Sequence, residues 1–183
     1  DGKVFYATAA ASSRQVVDTV QFAITGATPH ALPNDNALNA VFDTANDVLT
    51  LVAATTYVFE AMYFVNTGAT THTTATAFSA SSAFTSIRYW AELWSGTAVT
   101  ISTTAPSVLD VVASTATVLN ATSTAARTTI RIKGIIRTNA ASTVTPAIQF
   151  SADPTGTCEV ATDSFFRIWP KGTNTVAAVG NWA

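Results

Sequence analysis

The sequence predicts an all-β fold, an antiparallel β-sandwich of jelly-roll type with a short N-terminal arm. Three observations predict it. Thr, Val and aromatic residues fill most segments, and such side chains pack on a pleated surface with little loss of rotamer freedom. Thr supplies 33 and Ala 34 of the 183 residues. Apolar and polar residues alternate with period two over several stretches, which is the signature of half-buried strands. Gly, Pro, Asn and Asp recur between short runs, as they do in sandwiches and barrels.

Taken in order, the first strand is expected at Val16–Ile24. Pro29 and Pro33 bracket a loop from Thr28 to Asn36, which divides an arm, residues 1–31, from a main domain, residues 32–183. The apolar region Val48 to Val65 approaches the length of a membrane span. It holds Glu60 and three Thr and breaks at Ala53-Ala54-Thr55-Thr56, so it reads as two buried strands, Val48–Ala53 and Thr56–Asn66. Asn66-Thr67-Gly68 closes the second with residues that tolerate positive φ. Further strands are expected at Thr73–Phe78, Phe84–Ser95, Ala98–Ser102, Ala116–Ala121, Thr128–Thr138 and Thr143–Ser151. Val108–Ala113 fits either a strand or a short helix. Asp153-Pro154-Thr155-Gly156 fits a type I turn, with Asp at i, Pro at i+1 and Gly at i+3. Ser164–Trp169 and Thr175–Gly180 complete the set, and Lys171-Gly172-Thr173-Asn174 fits a hairpin turn between them. There is no clear internal repeat.

Alternation assigns faces to three of these strands. In Arg127–Thr138, Ile130, Ile132 and Ile136 fall on the even, core-facing side, while Arg127, Arg131, Lys133 and Arg137 share the odd side. Four of the nine basic residues thus form one outward stripe. In Phe84–Ser95, Arg88, Trp90, Glu92 and Trp94 share a face, placing two tryptophans beside two charges. In Thr56–Asn66 both faces are apolar around Glu60, which suits a central strand or one covered by a second subunit.

Composition removes several classes of function. Only 11% of residues are charged, against about 25% in an ordinary domain, and the formal net charge is −2. A broad nucleic-acid surface would need a basic excess. The single cysteine, Cys158, excludes an intrachain disulfide framework and a multi-cysteine metal site. The chain opens on Asp1, not Met, so a processed, trimmed or renumbered start is expected and a removed signal leaves nothing to read.

The chemistry-bearing residues form no catalytic pattern. A nucleophilic triad needs a Ser or Cys beside a His; the only histidines, His30 and His72, fall in loops, and no Gly-x-Ser-x-Gly is present. Glu60 and Glu92 lie on strands that can be neighbours, as a glycosidase would need, but salt bridges to Arg88 or to the stripe are the plainer expectation. Asp43 with Asp47, and Asp153 with Asp163, make weak Ca²⁺ candidates without an Asp-x-Asp-x-Asp loop. No phosphate loop exists. No catalytic residue, metal ligand or cofactor is expected. Trp90 and Trp94 can stack on sugar rings or line an intersubunit or inter-sheet surface, and the latter is favoured. Trp169 and Trp182 are expected to anchor the C-terminal hairpin, and Cys158 to be a small, unreactive strand-edge residue.

Four stretches together carry a family resemblance: Asn66–Phe78, Thr129–Arg137, Pro146–Pro154, and Ser164–Pro170 with Val179-Gly180-Asn181-Trp182-Ala183. Over roughly Leu32 to Ala183 the chain resembles a β-rich domain of tailed-bacteriophage structural proteins, often found at the C-terminus of a virion protein. The resemblance implies a non-enzymatic virion protein on the particle surface: a capsid-decoration, head-fibre or tail-fibre subunit. Low charge, Thr-rich strands and doubly apolar strands suit subunits buried against one another, so a homo-oligomer, a trimer above all, is expected, with the major capsid protein or another virion protein as partner. A glycan-binding module using the surface tryptophans, with a host surface glycan as partner, is the alternative. Neither nucleic acid nor a membrane is expected as a partner.

Overall fold

The computed structural model describes residues 4–8, 12–16, 21–96 and 107–174. The described chain forms fifteen strands and no helix. Near the start, β1 (Val4–Thr8) and β2 (Ser12–Val16) pair only with each other. The remainder builds two antiparallel sheets packed face to face, so the expected sandwich is observed. The larger sheet contains β3 (Gln21–Ile24), β4 (His30–Ala31), β7 (Thr55–Asn66), β9 (Ser86–Ser95), β10 (Ser107–Val111), β12 (Arg127–Thr138), β14 (Glu159–Val160) and β15 (Phe165–Thr173). The smaller contains β5 (Leu38–Ala40), β6 (Leu49–Leu51), β8 (Thr74–Ser79), β11 (Thr117–Val118) and β13 (Ser142–Phe150).

The topology is a jelly roll. From β6 the chain crosses to β7, back to β8 and over to β9. β10 then pairs antiparallel with β9, and the chain retraces its path through β11, β12 and β13, again changing sheets at each step. The pairs nest: β9 with β10, β8 with β11, β7 with β12, and β5 and β6 with β13. A long antiparallel ribbon has been rolled so that β12 also meets β9, and β13 also meets β8. Beyond the roll, β15 and β14 share the free edge of β7, and β3 and β4 extend them outward.

Within the expected arm, residues 21–24 and 30–31 are therefore strands of the main sheet. Thr25 fixes them: its backbone N–H donates to the Ser164 carbonyl at 2.9 Å, and its hydroxyl donates to the Ala161 carbonyl at 2.7 Å. Val16–Ile24 is not one continuous described strand, since β2 ends at Val16 and β3 begins at Gln21. Of Val108–Ala113, residues 108–111 form strand, in β10, and Val112 and Ala113 lie beyond its end. The expected strands Ala98–Ser102 and Thr175–Gly180, and Trp182, lie outside the described residues. Lys171–Thr173 is not a turn. β15 runs on through it past a bulge between Pro170 and Gly172, and the Thr56 hydroxyl holds the Thr173 carbonyl at 2.6 Å.

The core lies between the sheets. Phe59, Tyr89 and Phe166 project from the larger sheet onto Phe78 of the smaller, with ring centroids 5.1 to 6.2 Å apart. Each such ring contributes about 1.5–3 kcal/mol by leaving water. Ile130, Ile132 and Ile136 are buried beside them, as alternation requires. Gly134 stands in register with both Phe59 and Tyr89 and leaves room for their rings. A Cβ there would lie 2.4 Å from the Tyr89 Cβ and 2.6 Å from the Arg88 carbonyl oxygen.

Two loop expectations need correction. In the Asp153–Gly156 turn Thr155 has φ 56°, which excludes type I; the Asp153 carboxylate accepts the Thr155 N–H at 2.7 Å and holds the turn. Gly68 is not needed for positive φ but for proximity: a Cβ would sit 2.3 Å from the Thr155 carbonyl oxygen. The Gly68 N–H donates to that oxygen at 2.9 Å, which locks the loop after β7 to the loop before β14.

Candidate interaction face

The outer face of the larger sheet gathers most of the candidate residues. Strand register arranges them in rows across β10, β9, β12, β7, β15 and β3. One row reads Asp110, Trp90, Lys133, Glu60, Arg167, Phe22. The next reads Glu92, Arg131, Met62, Phe165, Ile24 on the last five of those strands. On the other side Arg88, Ile135, Val58 and Trp169 follow one another. Trp94 begins a further row, with Thr129 and Phe64. The structure therefore brings together Arg88, Trp90, Glu92 and Trp94 with Arg131, Lys133 and Arg137 on one surface, and places Arg127 at its end.

Ion pairs run through this surface. Glu60 meets the Lys133 Nζ at 3.1 Å on one side and the Arg167 guanidinium on the other. The Arg167 hydrogen bond is the largest influence on the Glu60 carboxyl; burial pushes the other way and Lys133 adds to Arg167, so the group lies below its ordinary range. Arg88 does not pair with Glu60 or Glu92. It forms a two-pronged contact with Asp110 across the β9–β10 pair, with side chains 70% and 56% exposed. That contact lowers the Asp110 pKa and raises that of Arg88. Such exposed pairs are screened by solvent and contribute little stability. Glu60 and Glu92 are not on adjacent strands, because β12 runs between β7 and β9. Arg127, Arg131 and Arg137 form no ion pair among the described residues.

The spaces between charges are aromatic and aliphatic. The Arg167 guanidinium lies 5.6 Å from the Trp169 ring centroid, a cation–π contact. Phe22 stacks on Phe165 with centroids 6.0 Å apart. Trp90 is half-buried, Trp94 is 40% exposed, Ile135 44%, Ile24 45% and Phe22 52%. Glu92 stands between the tryptophans; its Oε2 is buried and accepts no hydrogen bond among the described residues. Asp110, Arg167, Phe22 and Phe165 were not singled out from the sequence. The signal was present for Arg167 and Phe165, which alternate with buried Phe166 and Ile168 in β15.

The other candidates are structural. His72 is not an exposed loop residue: it is buried, its Nδ1–H donates to the Thr70 carbonyl at 2.7 Å, and its ring meets the edge of Phe150 at 5.2 Å. His30 is half-buried in β4, in register with Val160. Cys158 is buried, and its thiol is pushed up to about 11, first by burial and then by Asp153, Asp35 and Glu159. Among the described residues no three His, Cys, Asp or Glu side chains form a metal-binding group. No helix there is long and apolar enough to cross a membrane. An open cleft of about 770 Å³ between the turn after β8 and the segment after β10 is lined by Ala77, Phe78, Ala83, Phe84, Val112 and other uncharged residues. It offers nothing that can move a proton. Searches of family models, curated proteins and solved structures give no match to this chain.

Proposed function

We propose that the protein is a non-enzymatic structural subunit exposed on a tailed-phage particle, a capsid-decoration or fibre protein that works as a homo-oligomer, in the simplest case a trimer. The observation that carries the reading is the outer face of the larger sheet. A sheet facing only water alternates apolar-in with polar-out. Here the outward positions of β7, β15 and β3 include Val58, Met62, Phe64, Phe165, Trp169, Phe22 and Ile24. Apolar patches of this kind mark surfaces that another protein covers. The resemblance to phage structural domains supplies the setting, and the jelly roll suits a rigid building block. Gold-labelled antibody against the chain, imaged on particles, tests the setting: decoration of heads or fibres is expected, and unlabelled particles that contain every other structural protein refute it.

A glycan-binding role on the same particle has one observation in its favour, the partly exposed pair Trp90 and Trp94 on one face of β9. Tryptophan faces take sugar rings. A glycan array with the wild type and Trp94→Ala tests it. Retention by the wild type that the variant loses supports it, and no retention of either removes it.

A further inference from the structure

We infer that one copy of this chain docks an acidic rim onto the cationic, aromatic outer face of the larger sheet of a second copy. The inference rests on the reading of the protein as a self-assembling subunit, and it names the two surfaces that meet.

Segregation of charge carries it. From residue 21 onward every described Lys and Arg lies on β9, β12 or β15 of the larger sheet. The five strands of the smaller sheet hold no charged residue. Carboxylates within the outer face neutralise only part of its charge. Glu60 is shared by Lys133 and Arg167, Asp110 takes Arg88, and Glu92 stands in register with Arg131 without forming an ion pair, which leaves Arg127, Arg131 and Arg137 unpaired among the described residues.

The opposite sign collects where the loop after β4 and the loop before β14 meet. Asn34 Nδ2 donates to the Gly156 carbonyl at 2.7 Å and the Leu32 N–H to the Cys158 carbonyl at 2.9 Å, so the two loops form one rim. Asp35, Asp153 and Glu159 stand on it, and their hydrogen bonds come from neutral donors. Asp35 accepts from Ala37 N–H and Asn39 Nδ2, Asp153 from Thr155 N–H, and Glu159 from Asn66 Nδ2. No described cation pairs with any of the three. Within one molecule the rim borders only the end of the stripe: Glu159 and Arg127 flank Asn66 of β7 in one row, with Arg131, Lys133 and Arg137 farther along β12 and no ion pair between Glu159 and Arg127.

A second copy resolves both imbalances. Rim against face opposes unlike charges, which steers association and fixes its register. Face against face would set one cationic stripe on another. The side chains around Arg131 and Arg137 also fit a docking surface, since aromatic residues and Arg are the types enriched at protein interfaces. Rim-to-face contact joins two different surfaces, so it propagates from copy to copy and closes into a ring when the rotation permits. A trimeric ring is one such closure.

Charge reversal tests the docking, with sedimentation velocity on the full chain as the readout. Arg131→Glu and Asp153→Arg, made separately, are each expected to weaken assembly at least tenfold at low ionic strength. The difference should shrink near 1 M salt, where charges are screened within about 3 Å. The two reversals combined in one chain should recover assembly. Asp43→Arg, on the loop between β5 and β6, makes the same change of charge away from the rim and should leave assembly unaltered. Melting curves check that each variant is folded. If the wild type assembles and neither reversal matters, the docking is overturned and the subunit reading stands. A wild type that is monomeric at every concentration overturns the docking and self-assembly together. A monomeric wild type held by an anionic polysaccharide resin, with Arg131→Glu released, gives the face to an anionic ligand and also overturns the docking.

Discussion

Gly134→Ala isolates the packing argument in one atom. Ala is the less flexible residue in the unfolded chain, so by backbone entropy alone the change should stabilise by about 0.4–1 kcal/mol. The surroundings oppose this. The added Cβ would meet the Tyr89 Cβ at 2.4 Å, the Arg88 carbonyl oxygen at 2.6 Å and the Phe59 Cζ at 2.7 Å. Two of these three atoms belong to or sit directly on the backbone of β9, so no flexible side-chain end can swing away. Relief requires β9 and β12 to separate or the Phe59 ring to shift against Phe78 and Phe166. Overpacking of this kind typically costs 1–3 kcal/mol, and the rigid neighbours place this site at about 3 kcal/mol. For a chain of this length that corresponds to a fall in Tm of roughly 6–12 °C. Thermal unfolding followed by circular dichroism, at equal protein concentration, measures it. Gly26→Ala is the control: a Cβ at Gly26 meets nothing within 4 Å, and no loss is expected. A Gly134→Ala variant as stable as the wild type would refute the account of β12 packing.

Three further outcomes follow from named contacts. Ile132→Asp places an unpaired charge in the core and should abolish the folded state, whereas Lys133→Asp, on the outer face, should cost no more than about 1–2 kcal/mol; equal behaviour in a urea titration would invert the face assignment of β12. The Glu60 carboxyl is held low by Arg167 and Lys133, so its contribution is complete above its unfolded pKa and disappears as pH falls through the lower folded value. Glu60→Gln should therefore cost about 1 kcal/mol at neutral pH, and the cost should vanish in acid; a loss that is independent of pH would show that the ion pairs are not its cause. With its pKa pushed up to about 11 and its side chain buried, Cys158 should label with a thiol reagent at pH 8 only through opening of the fold, and fast labelling of the native protein would place it at the surface.

The long strands were legible because their sequences carry both a period and a composition. Arg127–Thr138 alternates cations with isoleucines, and its burial alternates in step. The short strands were not legible. His30–Ala31, Leu38–Ala40 and Glu159–Val160 are too brief for a period; the last two pair because the longer strands beside them present free edges, and His30–Ala31 adds onto Glu159–Val160. The two glycines with the tightest surroundings were opaque for the same reason: Gly68 and Gly134 answer to Thr155 and Tyr89, both distant in sequence. The outer face was partly visible. Alternation put Arg88, Trp90, Glu92 and Trp94 together, and the cations of β12 together. It did not show that β9 and β12 are neighbours, nor that Arg88 takes Asp110 and Glu60 takes Arg167, because those pairings are set by how the ribbon rolls.

The mass of the native protein tests the central claim most directly. Light scattering or native mass spectrometry over a range of concentrations should give a fixed multiple of the 19.0 kDa chain, threefold for a trimer. A single 19.0 kDa species at every concentration would contradict the claim that neighbouring copies cover the aromatic face.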